Sequence, residues 1–428
     1  MHTPYSYDAC DSAGITGSSA EIKAGAGVIN TSCSSNFREA ICKNRIDYTF
    51  TTDHVDNFIF YDFSRLLLYQ AGDVLINSGL GTSYYNRMVG CDGGAFAPVL
   101  SAGFETLSMI GIGLKAHLTS DPTESVRRSA YEGTTAATRV LIQSAPSEGV
   151  VIIPHTEDKS VATIQSLGPD AIELYNLHAN LDPKIRKRSL GAGGYSVIGG
   201  MINYILDPFS DLAPDLAFIT FLEQFSVYTS KWAQIQGAGQ KITAVAAVDS
   251  HENVLAMKVA DGERFDSYRR TSKIASNLVA VTSSDIDLVK TAIKNNRVLI
   301  AFEGFGSPVN FDFSATISGT AYRMGDTGTL GAQTATVRIV APTLHPSSAQ
   351  GRTAPVIRLI LKRINTDGSE TKLSETTNST LTASVSTASI LRAEVKITPY
   401  HLREYLGGFA SYANNENIWI ISNPIYLN

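Results

Sequence analysis

Along the first 300 residues short apolar runs alternate with segments of helical periodicity, the pattern expected of β/α units. Residues 45–52, 149–154, 171–175 and 241–248 predict strands, each ending at or near a polar residue able to carry chemistry. In a barrel of such units the carboxyl ends of the parallel strands converge on one face, so groups far apart in sequence meet there. Two Gly/Ser/Ala-rich segments, 11–35 and 78–102, interrupt the pattern and predict long loops, the kind that serve as lids or binding surfaces. Tyr84, Tyr85, Phe96 and Phe104 are expected either to line a substrate cleft or to pack these loops down. Beyond about residue 310 the texture becomes Thr/Ser/Val alternation punctuated by Gly/Asp/Asn turns, and 334–340, 356–361 and 393–397 predict sandwich strands. The expected organisation is an α/β barrel over residues 1–305 followed by an all-β, sandwich-like domain over 306–428.

Composition narrows the classes of function. A chain of 428 residues exceeds one ordinary core, in keeping with two or three units. Only 18% of residues are charged, against roughly 25% in average soluble proteins, which describes a well-buried chain. The net charge of -5 and pI near 5.9 argue against binding to a nucleic-acid backbone, which needs clustered Lys and Arg. The one dense basic run, 184–188, predicts a solvated helix face, with an anion-attracting rim as the functional alternative. Cys10, Cys33, Cys42 and Cys91 show no CxxC spacing, and their even number points to disulfides and an exported setting, with reduced cytosolic thiols as the alternative. No apolar run is long enough to span a membrane, and if the chain is exported its signal is expected upstream of Met1.

The histidines carry the chemistry. His54, His155, His178 and His251 sit at or just after predicted strand ends, and His2 opens the run Thr3-Pro4-Tyr5-Ser6-Tyr7-Asp8. Imidazole and carboxylate are the ligands that divalent transition metals take in hydrolytic sites. A lone histidine at a strand end is more often structural, but four of them, two in Asp-His or Asp-x-His pairs, point to a metal cluster. No P-loop, dinucleotide fingerprint or Gly-x-Ser-x-Gly elbow competes, the glycines at 191–194 and 199–200 fitting none of them.

These residues resemble the motifs of the PHP (polymerase and histidinol phosphatase) family of metal-dependent phosphoesterases. His2 to Asp8 resembles the second half of its first motif, Thr52-Asp53-His54 its Thr-Asp-His motif, and Gly103-Phe104-Glu105 its Gly-x-Glu motif. Pro154-His155 and Asp249-Ser250-His251 resemble the later Pro-His and Asp-x-His motifs, so the likeness runs in order from residue 2 to about 300. It implies a distorted (β/α)7 barrel with two or three Zn, Mn or Fe ions per chain. His2, Glu105 and Asp249 would hold one metal, Glu105 bridging to a second with His155, and Asp8, His54 and His251 a third. Asp249, His251 and Glu105 would carry catalysis, a metal-bound hydroxide attacking phosphorus, while Asp53 orients an imidazole. The family pattern also has a histidine two residues ahead of His2, so the expectation is either that the native chain starts earlier or that the first metal site lacks a ligand and is weak. It has another after Gly-x-Glu, for which His117 is the candidate.

His178 and Arg269 are assigned to substrate, Arg269 or Arg270 alternatively to a structural salt bridge. His345 and His401 are expected at the surface. The tail, from Phe265-Asp266-Ser267-Tyr268-Arg269 through Trp419 to Tyr426, resembles exported PHP proteins with an appended β-sandwich. The substrate implied is a small-molecule or polymer phosphoester. The alternatives are hydrolysis of another ester or an amide, and a carbohydrate or cell-surface polymer binding module on an impaired scaffold.

Overall fold

The computed structural model describes residues 1–77, 84–132, 136–192, 211–349 and 352–428. The glycines at 193–194 and 199–200, part of the loop 78–102 and the side chain of Tyr84 lie outside the described residues.

The N-terminal half is organised by strands β1 (Tyr48–Phe50), β2 (Asp53–His54), β3 (Val99–Ser101), β4 (Phe104–Glu105), β5 (Ile110–Ile112), β6 (Val150–Ile153), β7 (Ala171–Asn176) and β8 (Thr243–Ala247). One sheet has the order β8-β7-β6-β5-β4-β2. All its strands run the same way except β5, which is antiparallel to both neighbours. Upstream, β1 and β3 pair in parallel as the start of a second, four-stranded sheet. Every residue of β6 and β7 is buried, as expected of parallel strands covered on both faces. Alternate residues serve the two faces. Ile110, Ile112, Val150, Ile152 and Val245 pack against Val289 and Ile293 of the helix Ile286–Lys294. Val151, Ile153, Ile172, Leu174 and Ala244 enter the main core.

Among the described residues the ladder stops at β2 and β8, so the expected barrel has no closed ring of hydrogen bonds. At the carboxyl ends the gap is bridged by the first two residues: Thr52 N–H donates to the Met1 carbonyl and His2 N–H to the Ser250 carbonyl, both at 3.0 Å. Below that bridge lies a cavity of about 1030 Å³ whose lining includes Tyr48, Phe50, Ile152 and Val245. The other edge of β8 is completed by two side-chain amides. Asn423 receives Ala244 N–H at 2.8 Å and donates to the Ala244 carbonyl at 3.0 Å; Asn277 does the same for Ala246, both bonds at 2.8 Å.

The C-terminal region contains a four-stranded antiparallel sheet, including Asp312–Ile317, Ala335–Val340 and Thr380–Val385, with alternating burial. The larger sheet runs Ser276–Val279 (β9), Val298–Ala301 (β10), Asn417–Ser422, Ser389–Thr398, Val356–Ile364 and Glu370–Thr376. Because β9 and β10 lie before residue 305 yet pair into this sheet, the two halves share structure across that point. Among the described residues no helix is long and apolar enough to cross a membrane.

The segment 11–35 folds as a short strand pair around the helix Ser19–Lys23. It is pinned by the disulfide Cys10–Cys33, and a second disulfide joins Cys42 to Cys91.

Candidate metal centre

Five parallel strands deliver the site. His54 and Glu105 end β2 and β4, while His155, His178 and Asp249 each stand two residues past the ends of β6, β7 and β8. His155 and Asp249 hold left-handed backbones, with φ of 50° and 48°. Non-glycine residues adopt that conformation at a cost of about 1–3 kcal/mol, and such strain concentrates at functional sites.

Among the described residues donor atoms gather in three groups, each within 4.8 Å: His2, Asp8, His54 and His251; His178, Asp249 and His251; and His2, Glu105 and Asp249. His2 Nε2 is 2.9 Å from Asp249 Oδ1 and 3.5 Å from Glu105 Oε2. Asp8 Oδ2 is 3.4 Å from His54 Nε2 and 3.3 Å from His251 Nε2. Asp249 Oδ2 lies 3.4 Å from His178 Nδ1, so this carboxylate spans two groups. His155 Nε2 approaches Glu105 Oε1 and its Nδ1 approaches Glu157 Oε1, both at 3.3 Å, although it joins none of the three groups.

Hydrogen bonding fixes the tautomers. His251 Nδ1 lies 2.8 Å from the Asp249 carbonyl, which only accepts, so Nδ1 carries the proton and Nε2 a lone pair. That lone pair is buried, has no hydrogen-bond partner and faces the oxygen of Asp8. Two electron-rich atoms directed at each other inside a protein are unfavourable unless a proton or cation lies between them. Burial and the neighbouring His2 depress the His251 pKa to about 4, which disfavours the proton. The donor set therefore fits a divalent cation. Around His2 the balance is reversed: burial opposes its charge, but Asp249 and Glu105 outweigh burial and raise its pKa to about 9. Burial likewise opposes charge on His155, while Glu105 and Glu157 raise it to about 12. Ser6 ties the set together, its hydroxyl 3.0 Å from His2 Nδ1 and donating to Asp8 Oδ1 at 2.9 Å.

Other expected site residues are used differently. His117 is a core residue: its Nε2–H donates to the Tyr61 carbonyl at 2.8 Å, and its Nδ1 is 2.7 Å from the Tyr131 hydroxyl. With both nitrogens occupied it has no free donor for a metal. Arg269 is committed to Asp215 and Glu263, the salt-bridge alternative rather than a phosphate contact. Asp53 orients no imidazole; it accepts from the backbone N–H of Thr3 at 2.5 Å and from the Thr3 hydroxyl at 2.8 Å, holding the N-terminal run in place. His401 is buried, with Nε2 donating to the Phe305 carbonyl at 3.0 Å, whereas His345 is exposed. Tyr85 and Phe104 are buried packing residues, and Phe96 lies under Arg45.

Two acids beside the donor groups are given no site role by the sequence. Glu173 is buried in β7, accepts from His155 N–H at 2.9 Å and from the Asn176 amide at 3.1 Å, and burial raises its pKa to about 8. Its signal was a carboxylate inside an otherwise apolar strand. Glu157 braces the far side of His155. His178, expected only to touch substrate, also belongs to a donor group.

Beside the cluster lies a cavity of about 600 Å³ that shares His178, Asp249 and His251 with it. No family model matches this chain, and comparison with curated proteins and with solved structures found no match.

Proposed function

We propose that this chain is a metal-dependent phosphoesterase of the PHP type, with a distorted barrel open between β2 and β8. Two or three Zn, Mn or Fe ions would be held by His2, Asp8, His54, Glu105, His155, His178, Asp249 and His251. The observation that carries the reading is the buried, unpartnered lone pair of His251 Nε2 among carboxylate and imidazole donors. Divalent ions in such a site lower the pKa of water and neutralise charge developing on a phosphoryl group.

The chain's own contribution is placement. Asp249 links two donor groups, Glu105 reaches toward both His2 and His155, and the Asp249 carbonyl selects the His251 tautomer. Burial of His2, Glu105 and His251 keeps bulk water from one side. His178, with its side chain 38% exposed, marks the side from which substrate arrives. The two disulfides support an exported protein, since such bonds persist in oxidising compartments.

The test is phosphate release from simple phosphomonoesters by metal-loaded protein. Activity is expected in the wild type and lost in His155→Ala and Asp249→Ala. Metal-loaded wild-type protein that releases no phosphate while cleaving carboxylic esters would move the reading to the other hydrolase class.

A further inference from the structure

We infer that the ester cleaved at this site carries an apolar, uncharged alcohol or phenol group, seated in the 600 Å³ cavity beside His178, Asp249 and His251. The inference rests on the phosphoesterase reading above and names its substrate class. A cavity of this size suits a drug-sized group. Val248, Val254 and Leu255 form part of its accessible wall, with Phe218 and Phe265 buried behind them.

The acidic residues of the wall outside the donor groups are already engaged. Asp182 accepts from Lys184 N–H and Ile185 N–H at 2.7 and 3.0 Å, capping a helix. Glu252 accepts from Tyr268 N–H at 3.0 Å, and Asp266 from Val254 N–H and Leu255 N–H at 2.6 and 2.9 Å. Among the described residues the lining contains no Lys or Arg. A second phosphate, a sugar acid or a nucleotide chain would therefore meet carboxylates and hydrocarbon, with no complementary charge and few free hydrogen-bonding groups. An aryl or branched alkyl group meets a surface that gains from excluding water.

In the reaction, oxygen from water bonds to phosphorus and the phosphorus–oxygen bond to the phenol breaks. One water proton ends on the phenol and the other on the phosphate.

The experiment compares phenyl phosphate with 4-tert-butylphenyl phosphate on the metal-loaded protein, two esters whose leaving groups are of nearly equal acidity. Each buried methylene is worth about fourfold, so kcat/KM is expected to favour the larger ester by at least about tenfold. Val254→Asn, at a position 55% exposed and so tolerant of a polar side chain, and Leu255→Asn are each expected to reduce that ratio at least about threefold. Calorimetric titration with 4-tert-butylphenol should show binding that weakens in the same variants. Equal rates for the two esters, with no binding of the phenol, overturn the cavity assignment alone. Binding of the phenol with hydrolysis of neither ester overturns the phosphoesterase reading, and the substrate assignment falls with it.

Discussion

Acidification from pH 8 to pH 5 should weaken the fold by about 2 kcal/mol through His117 alone. This imidazole is locked neutral. Its Nε2–H donates to the Tyr61 carbonyl, and its Nδ1 accepts from the Tyr131 hydroxyl, whose oxygen accepts Leu118 N–H at 3.1 Å. Burial, helped by Arg127, lowers the His117 pKa from 6.5 to about 4. Between those values the unfolded chain binds a proton that the folded chain does not. Its contribution to stability is therefore complete above pH 6.5 and is lost as the pH falls toward 4. At about 1.4 kcal/mol per pH unit the whole loss is roughly 3 kcal/mol, of which about 2 has accrued by pH 5. The assay is urea unfolding of wild type and His117→Gln at the two pH values. Other groups titrate in both proteins, so the quantity read is the difference between their pH dependences. Identical pH dependence in the two would show that His117 is not held neutral by the fold, and loss of bound metal in His117→Gln would return His117 to the metal site.

Asn423→Ala removes both partners of Ala244 at the edge of β8; at about 1–3 kcal/mol per orphaned group, chemical denaturation should show a loss of roughly 2–6 kcal/mol. Arg269→Gln breaks its pairing with Asp215 and Glu263 and should cost stability by about 1 kcal/mol while leaving KM for phosphomonoesters unchanged. A rise in KM would place Arg269 at the substrate.

Much of the site was legible because it follows from strand geometry. His155 and Asp249 could be picked out because each stands just past an apolar run, where parallel strands deliver their ends to a common face. His178 stands in the same register past β7, so its place among the donors was available from that rule. His117 shows the limit. A neutral imidazole satisfied by a carbonyl and a phenol is spelled in sequence the same way as a ligand. Only the partners at Tyr61 and Tyr131 distinguish them, and those are set by packing of segments 56 and 14 residues away. Glu173 was hidden for the opposite reason, since one acid in an apolar strand reads as a solvent-facing position until both faces prove buried. The β-rich texture of the tail was visible, but its sharing of β9 and β10 was not, because a hairpin's pattern does not name the third strand beside it.

If carboxylates and imidazoles at five strand ends hold metal, the ions can be counted. Elemental analysis of purified protein, with anomalous scattering to locate each ion, is predicted to find two or three Zn, Mn or Fe ions per chain among the three donor groups, and fewer in Asp249→Ala. Less than one equivalent of any of these metals in protein supplied with them would show that these donors do not form a metal centre.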